Sequence, residues 1–196
     1  MGQSGARSGE CPACSAPTAH GRFSSARRIT YTPRVAAPLE YIQLIRENYA
    51  RLGYAPYAWV DNTASPPPWT PLGKPLAQCR LALVASGGIY ASGQVAFHWR
   101  DDATLREIPT DVATADLRAT HFAYALTDAR RDPNVVFPID TLRGLVAERL
   151  LGALTPRALT FMGGIYSARL VRDELAPAIV ERVVADHADV ALLVPV

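Results

Sequence analysis

The sequence predicts an α/β fold of three layers, with helices on both faces of a mainly parallel sheet. Three observations predict it. Two apolar runs, CRLALVASGGIY (79–90) and ALTFMGGIY (158–166), each close on Gly-Gly-Ile-Tyr, the composition of a strand that ends in a tight turn. A third apolar run, VALLVPV (190–196), reads as a strand buried on both faces. Amphipathic stretches long enough to be crossover helices separate them. Strand, helix, strand, helix, strand with such connections implies parallel pairing, as in Rossmann- and flavodoxin-like sheets.

In chain order, residues 1–37 are rich in Ser, Ala, Gly, Arg and Pro without periodicity, and predict a disordered arm. The α/β domain is expected over 38–196. In PLEYIQLIRENYARLGY, Leu39, Ile42, Ile45, Tyr49 and Leu52 recur at helical steps, with Gly53 as the stop. WVDNTASPPPWTPLGKPL follows as a proline-stiffened connector. After the strand at 80–86, DLRATHFAYAL suggests a strand near 117–124 in a long polar segment. FPIDTLRGLVAERLLGAL (137–154) predicts a helix through Leu142, Leu145, Val146 and Leu150, capped by Asp140. SARLVRDELAPAIVERVVADH (167–187) predicts another, in which Pro177 either kinks the helix or opens a second one at its first turn. The strand at 190–195 is expected central or next to central.

Composition excludes several classes. The chain is 49% hydrophobic and 19% charged, which fits a packed domain. A net charge of +2 does not predict a nucleic-acid partner, and the surplus comes from Arg7, Arg22, Arg27, Arg28 and Arg34 in the arm. No apolar run approaches the roughly 20 residues of a membrane span, and no secretory h-region opens the chain. Three cysteines make no disulfide framework, so a cytoplasmic location is expected. Cys11-Pro-Ala-Cys14 is a CxxC in a segment without strand–helix context, and reads as incidental thiols rather than a zinc or redox site. No metal is predicted.

The candidate chemistry gathers at two places. Ser86, Gly87, Gly88, Gly163 and Gly164 would lie where strands end, where backbone amides can approach an anion; plain turn duty is the alternative reading. The segment 98–134 concentrates polar groups with interleaved aromatics, and is expected to fold over that rim. Within it, His121 and Glu107 are the acid/base candidates, and His98 and Arg106 are candidate substrate contacts. Arg106 is the expected carboxylate holder, because a guanidinium makes a planar two-point contact. A Ser86–His–Asp triad has no G-x-S-x-G elbow behind it.

Six blocks in order, LALVASGGIY, FHWRDDATLREIP, DLRATHFAY, DARRDPNVVFPIDTLRGL, TFMGGIY and ELAPAIVERVVADHADVALLVPV, resemble the glycine/sarcosine/betaine reductase protein B and D-proline reductase family, its short D-proline-reductase-like members above all. The resemblance runs from about residue 38 to the last. It implies an oligomeric cytoplasmic oxidoreductase that cleaves a C–N bond of an amino acid or related amine. The family's nucleophile is a selenocysteine or cysteine beside a second thiol. A pyruvoyl-bearing partner subunit makes the attacked carbon electrophilic, and a thiol or selenol donor supplies electrons. In the short members the nucleophile follows the strand matching 190–196. The expectation is that an in-frame UGA, recoded as selenocysteine, follows Val196, and that the chain as given is inert alone. Two further readings from the residues are a non-redox module binding a small anion or amino acid on the same fold, and a hydrolase using His121 and acids.

Overall fold

A computed structural model of the chain describes residues 40–53, 60–98, 101–122 and 124–196. The arm predicted over 1–37, with Cys11 and Cys14, lies outside the described residues. The chain divides into two compact units, Met1–Ala58 and Trp59–Val196. In the first, helix α1 spans Tyr41–Arg51, and the chain turns out of it at Gly53, whose φ of 76° suits a residue without a Cβ. Among the described residues no helix is long and apolar enough to cross a membrane.

The second unit is a mixed α/β structure around a mainly parallel sheet. Strand β1 (Arg80–Ala85) lies at its centre. One edge of β1 pairs in parallel with β7 (Val190–Val194) from Leu81 to Ala85. A strand has two edges, so β5 (Ala153–Leu154) and β6 (Arg157–Thr160) take the other in succession, at Arg80–Leu81 and Val84–Ala85. Strand β3 (Arg106–Pro109) adds to β6 antiparallel. Two short strands, β2 (Ile89–Ala91) and β4 (Leu117–Ala119), form a separate antiparallel pair. The strand expected near 117–124 therefore ends at Ala119 and stands outside the main sheet. Its side chains alternate, with Leu117 and Ala119 buried and Arg118 exposed.

Side-chain alternation along the strands defines the layers. Leu81, Leu83, Ala85, Ile108 and Ala158 join one core with Phe137, Leu151 and α3 (Ile139–Ala147), through Ile139 and Leu142. Glu107, next to Ile108, projects to the opposite face and there meets Arg182 of α5 (Ala176–Ala185). Helices thus cover both faces. Helix α2 (Leu126–Arg131) buries Ala129 in the first core.

Three details depart from expectation. Helix α3 ends at Ala147 and leaves Leu150 exposed, because the chain must turn back into β5. Asp140 is inside the first turn rather than at the cap, and accepts bonds from Thr114 Oγ1 (2.7 Å) and Asn134 Nδ2 (2.9 Å). Strand β7 is not buried on both faces: Val190, Leu192 and Val194 pack on the core, whereas Leu193 is 66% exposed. The apolar run conceals this alternation because Leu193 is as hydrophobic as its buried neighbours. Between Ser167 and α5 the chain runs through α4 (Ala168–Leu170) and a π-helical turn, Val171–Leu175. Helical backbone runs without a break from 168 to 185, so Pro177 lies within one helical run, directly after the π-helical turn, and opens no separate helix.

Candidate functional site

The carboxyl ends of β1, β6 and β7 meet at one rim. Ser86 holds the end of β7: its N–H donates to Val194 O (3.0 Å), and its Oγ accepts the N–H of Val196 (2.9 Å). The two Gly-Gly turns are joined directly. Gly163 N–H donates to Ser86 O (2.9 Å), Gly88 N–H donates to Phe161 O (3.0 Å), and Gly87 bridges Met162. The repeat of Gly-Gly-Ile-Tyr thus places both turns side by side on adjacent strands.

The segment after β4 closes over this floor. Thr120 N–H donates to Gly88 O (3.0 Å), and the Tyr124 hydroxyl donates to Gly87 O (2.8 Å). Two glycines permit the approach. Gly88 has φ of 66°, and a Cβ there would collide with the Thr120 carbonyl; a Cβ at Gly164 would collide with the Phe122 ring. The rings form a continuous group above the turns. His121 stacks on Phe122 with centroids 5.8 Å apart, Phe122 stacks on Tyr166 at 6.3 Å, and Tyr124 lies 4.7 Å from His121.

His121 is buried, and burial holds its pKa below the usual 6.5, so the imidazole is neutral at pH 7. In the unfolded chain it takes up a proton near pH 6.5. The stability that comes from keeping it neutral is therefore present above pH 6.5 and lost as the pH falls toward the depressed folded value. An NMR titration of the imidazole carbons should show an inflection below 6.5. A His121→Phe variant should lose the part of the unfolding midpoint's decline that sets in as the pH falls below about 6.5. An inflection above 6.5 would contradict this placement.

The structure brings Ser86, Gly87, Gly88, His121, Gly163 and Gly164 together. The other candidates are engaged elsewhere. Arg106 gives Nε to Val95 O (2.7 Å), Nη1 to Thr104 Oγ1 (2.7 Å) and Leu105 O (3.0 Å), and Nη2 to Ala96 O (3.4 Å); its guanidinium also covers the Phe97 ring at 4.4 Å. Glu107 pairs with Arg157 (2.7 Å) and Arg182 (2.5 Å), toward the amino-terminal end of β6. The hydrogen bond from Arg182, above all, keeps its carboxyl below the usual range. His98 N–H donates to Asp102 Oδ2 (2.7 Å) in a neighbouring loop. Sequence reasoning gave neither Tyr124 nor Tyr166 a site role: Tyr124 was visible only as one of the aromatics interleaved in the polar segment, and Tyr166 only as the aromatic closing a Gly-Gly turn.

The arrangement is a parallel α/β sheet whose strand ends carry paired glycine turns, a neutral buried imidazole and an aromatic wall. Such a rim suits a small polar substrate, since ligands of open α/β sheets sit beyond the carboxyl ends of the strands. The glycine/sarcosine/betaine reductase selenoprotein B family matches residues 58–195, and the chain belongs to that family. It is 34% identical over 128 residues to the D-proline reductase subunit gamma of Acetoanaerobium sticklandii, an alignment covering 65% of this chain and 53% of that subunit. The chain thus spans about half the length of this curated relative. No solved structure matches it.

Proposed function

We propose that the chain is a subunit of a thiol- or selenol-dependent reductase that cleaves a C–N bond of an amino acid or related amine, of the D-proline or glycine/betaine/sarcosine type. The observation that carries the reading is the rim itself. Both Gly-Gly turns converge beneath His121, and Ser86 fixes the backbone leaving β7 beside Gly87. In this reading the complete protein places a selenocysteine or cysteine after β7, and the rim is the floor of its substrate pocket. The nucleophile's electron pair attacks the carbon as the C–N pair leaves with nitrogen, which takes a proton. A second thiol then attacks the sulfur or selenium, the carbon receives the released pair and a proton, and the dithiol ends oxidised. Neutral His121 beside the rim can hold or move a proton there. A pyruvoyl-bearing partner subunit and a thiol donor complete the assembly, in the reducing cytoplasm.

The test uses the complete protein with its pyruvoyl-bearing partner and excess dithiol, offered D-proline, glycine, sarcosine and betaine in turn. Dithiol-dependent C–N cleavage of one of them, lost when this subunit is omitted, is the expected result. His121→Phe should lower kcat by about 100-fold if the imidazole handles a proton, the scale of general acid–base catalysis. Saturable binding of the amino acid without turnover would instead favour the non-redox binding module. Cleavage that persists without the subunit would overturn the proposal.

A further inference from the structure

A concavity lies on the outer face of the β2–β4 pair. In that pair Tyr90 is the direct partner of Arg118, and their immediate neighbours Ile89, Leu117 and Ala119 are buried in the core. Alternation therefore sends Tyr90 and Arg118 outward together. The end of α2 and the turn that follows bring Arg130, Arg131 and Asp132 to the same place. The result is a cleft of about 560 Å³, within the size range of small-molecule sites.

Its charge is one-sided. Arg118, Arg130 and Arg131 line it against a single carboxylate, Asp132, which already accepts both the N–H and the Nδ2 of Asn134 at 3.0 Å. Arg118 spends Nη1 on the carbonyls of Ala115 (2.7 Å) and Leu117 (2.8 Å). These bonds fix its plane while leaving Nε and Nη2 available. Arg131 pairs with Asp128 at 2.8 Å, but both groups are largely exposed, so the pair is easily exchanged. Arg130 makes no ion pair among the described residues. The Tyr90 hydroxyl and the Thr120 hydroxyl, 3.5 Å apart, add neutral polar groups. Like charges gathered in a concavity repel one another, and a bound anion removes that cost while accepting the guanidinium hydrogen bonds.

We propose that this cleft binds a small oxyanion carrying two or more negative charges, a phosphate or polycarboxylate, through Arg118, Arg130 and Arg131. A lone carboxylate would leave most of the positive charge uncompensated, whereas a multiply charged ligand engages guanidinium groups from two elements at once. The proposal does not depend on the reductase chemistry, although Thr120, which lines the cleft, also bonds Gly88 of the rim.

Calorimetric titration of the full chain with inorganic phosphate and with citrate, at constant ionic strength set by sodium chloride, tests the proposal. Saturable binding that weakens with added salt is expected, with acetate at least tenfold weaker. Arg118→Gln with Arg130→Gln should weaken citrate binding at least tenfold. Circular dichroism checks that the variant is folded. If the double variant fails to fold, Arg130→Gln alone, a change at an exposed side chain without an ion pair, carries the test with a severalfold loss. Absence of saturable binding, acetate as effective as citrate, or affinity unchanged in the folded variants would each overturn it.

Discussion

Gly88→Ala is expected to lower folding stability by about 2–5 kcal/mol, the sum of a forced left-handed backbone and an overpacked contact. The backbone at Gly88 has φ of 66°, and the added methyl would run into the Thr120 carbonyl. That carbonyl belongs to main chain, not to a side chain that can rotate away. The residue is also pinned on both sides, by Gly88 N–H to Phe161 O and by Thr120 N–H to Gly88 O. Relief therefore requires breaking the contact between the first Gly-Gly turn and the segment carrying His121. Urea unfolding should show a lower midpoint with an unchanged slope. Gly144→Ala provides the opposite sign: it lies inside α3 with open space around its Cβ position, and should gain about 0.5–1 kcal/mol from helix propensity. Gly164→Ala is a third case, because the obstacle there is the half-exposed Phe122 ring, which can move. Its expected cost is smaller, and its main effect is to displace the aromatic wall. A Gly88→Ala protein as stable as its parent would show that the segment 120–124 is not held against the turn.

Arg157→Ala is expected to cost about 1–3 kcal/mol, below the 3–5 of a fully buried pair because the group is partly exposed. Arg157 links three elements. Its Nη1 donates to Glu107 of β3 (2.7 Å), and its Nε and Nη2 grip Asp186 in two-point fashion at 2.9 Å each. Asp186 caps the carboxyl end of α5, where the helix dipole disfavours a negative charge, so loss of the guanidinium leaves an unfavourable carboxylate with little solvent. Glu107 would retain Arg182. A double-mutant cycle with Glu107→Gln should give a coupling above about 0.5 kcal/mol, the lower bound for residues in one network. The pH dependence follows from the sign of the shift. The folded pKa of Glu107 lies below 4.5, chiefly through its bond from Arg182, so the unfolded chain binds more protons in acid. The stabilisation is complete above about pH 4.5 and lost as the pH falls through the folded value. In Glu107→Gln, that part of the acid-side decline should disappear. A parent and variant with parallel pH profiles below 4.5 would show that the network contributes nothing.

The tests at Gly88 and Arg157 also mark where sequence reading worked and where it failed. Gly88 could be chosen from the sequence because a glycine after an apolar run announces a turn. Glu107 could not be assigned its partners. Arg-Glu-Ile-Pro has one core residue, Ile108, and too few apolar positions to read as a strand; it is a strand only because β6 offers an open edge for it to pair with. The same polar segment suggested a catalytic carboxylate and a substrate-binding guanidinium. In the fold Glu107 is engaged by arginines 50 and 75 residues away, while Arg106 secures the loop at 95–97.

The sequence by itself determined the α/β class, strands close to those observed at 80–85, 157–160 and 190–194, the helices within 137–154 and 167–187 and the glycine turns, because each rests on local periodicity or on a residue's intrinsic backbone freedom. Those signals act over a few residues, and they survive whatever surrounds them. The order of the strands, the joining of the two Gly-Gly turns, the separate β2–β4 pair and the exposure of Leu193 were decided only by the tertiary structure. Each depends on which edges and faces remain after the other elements have packed. No local pattern records that, since pairing between strands more than a hundred residues apart, as between β1 and β7, is selected by the shape of the whole core.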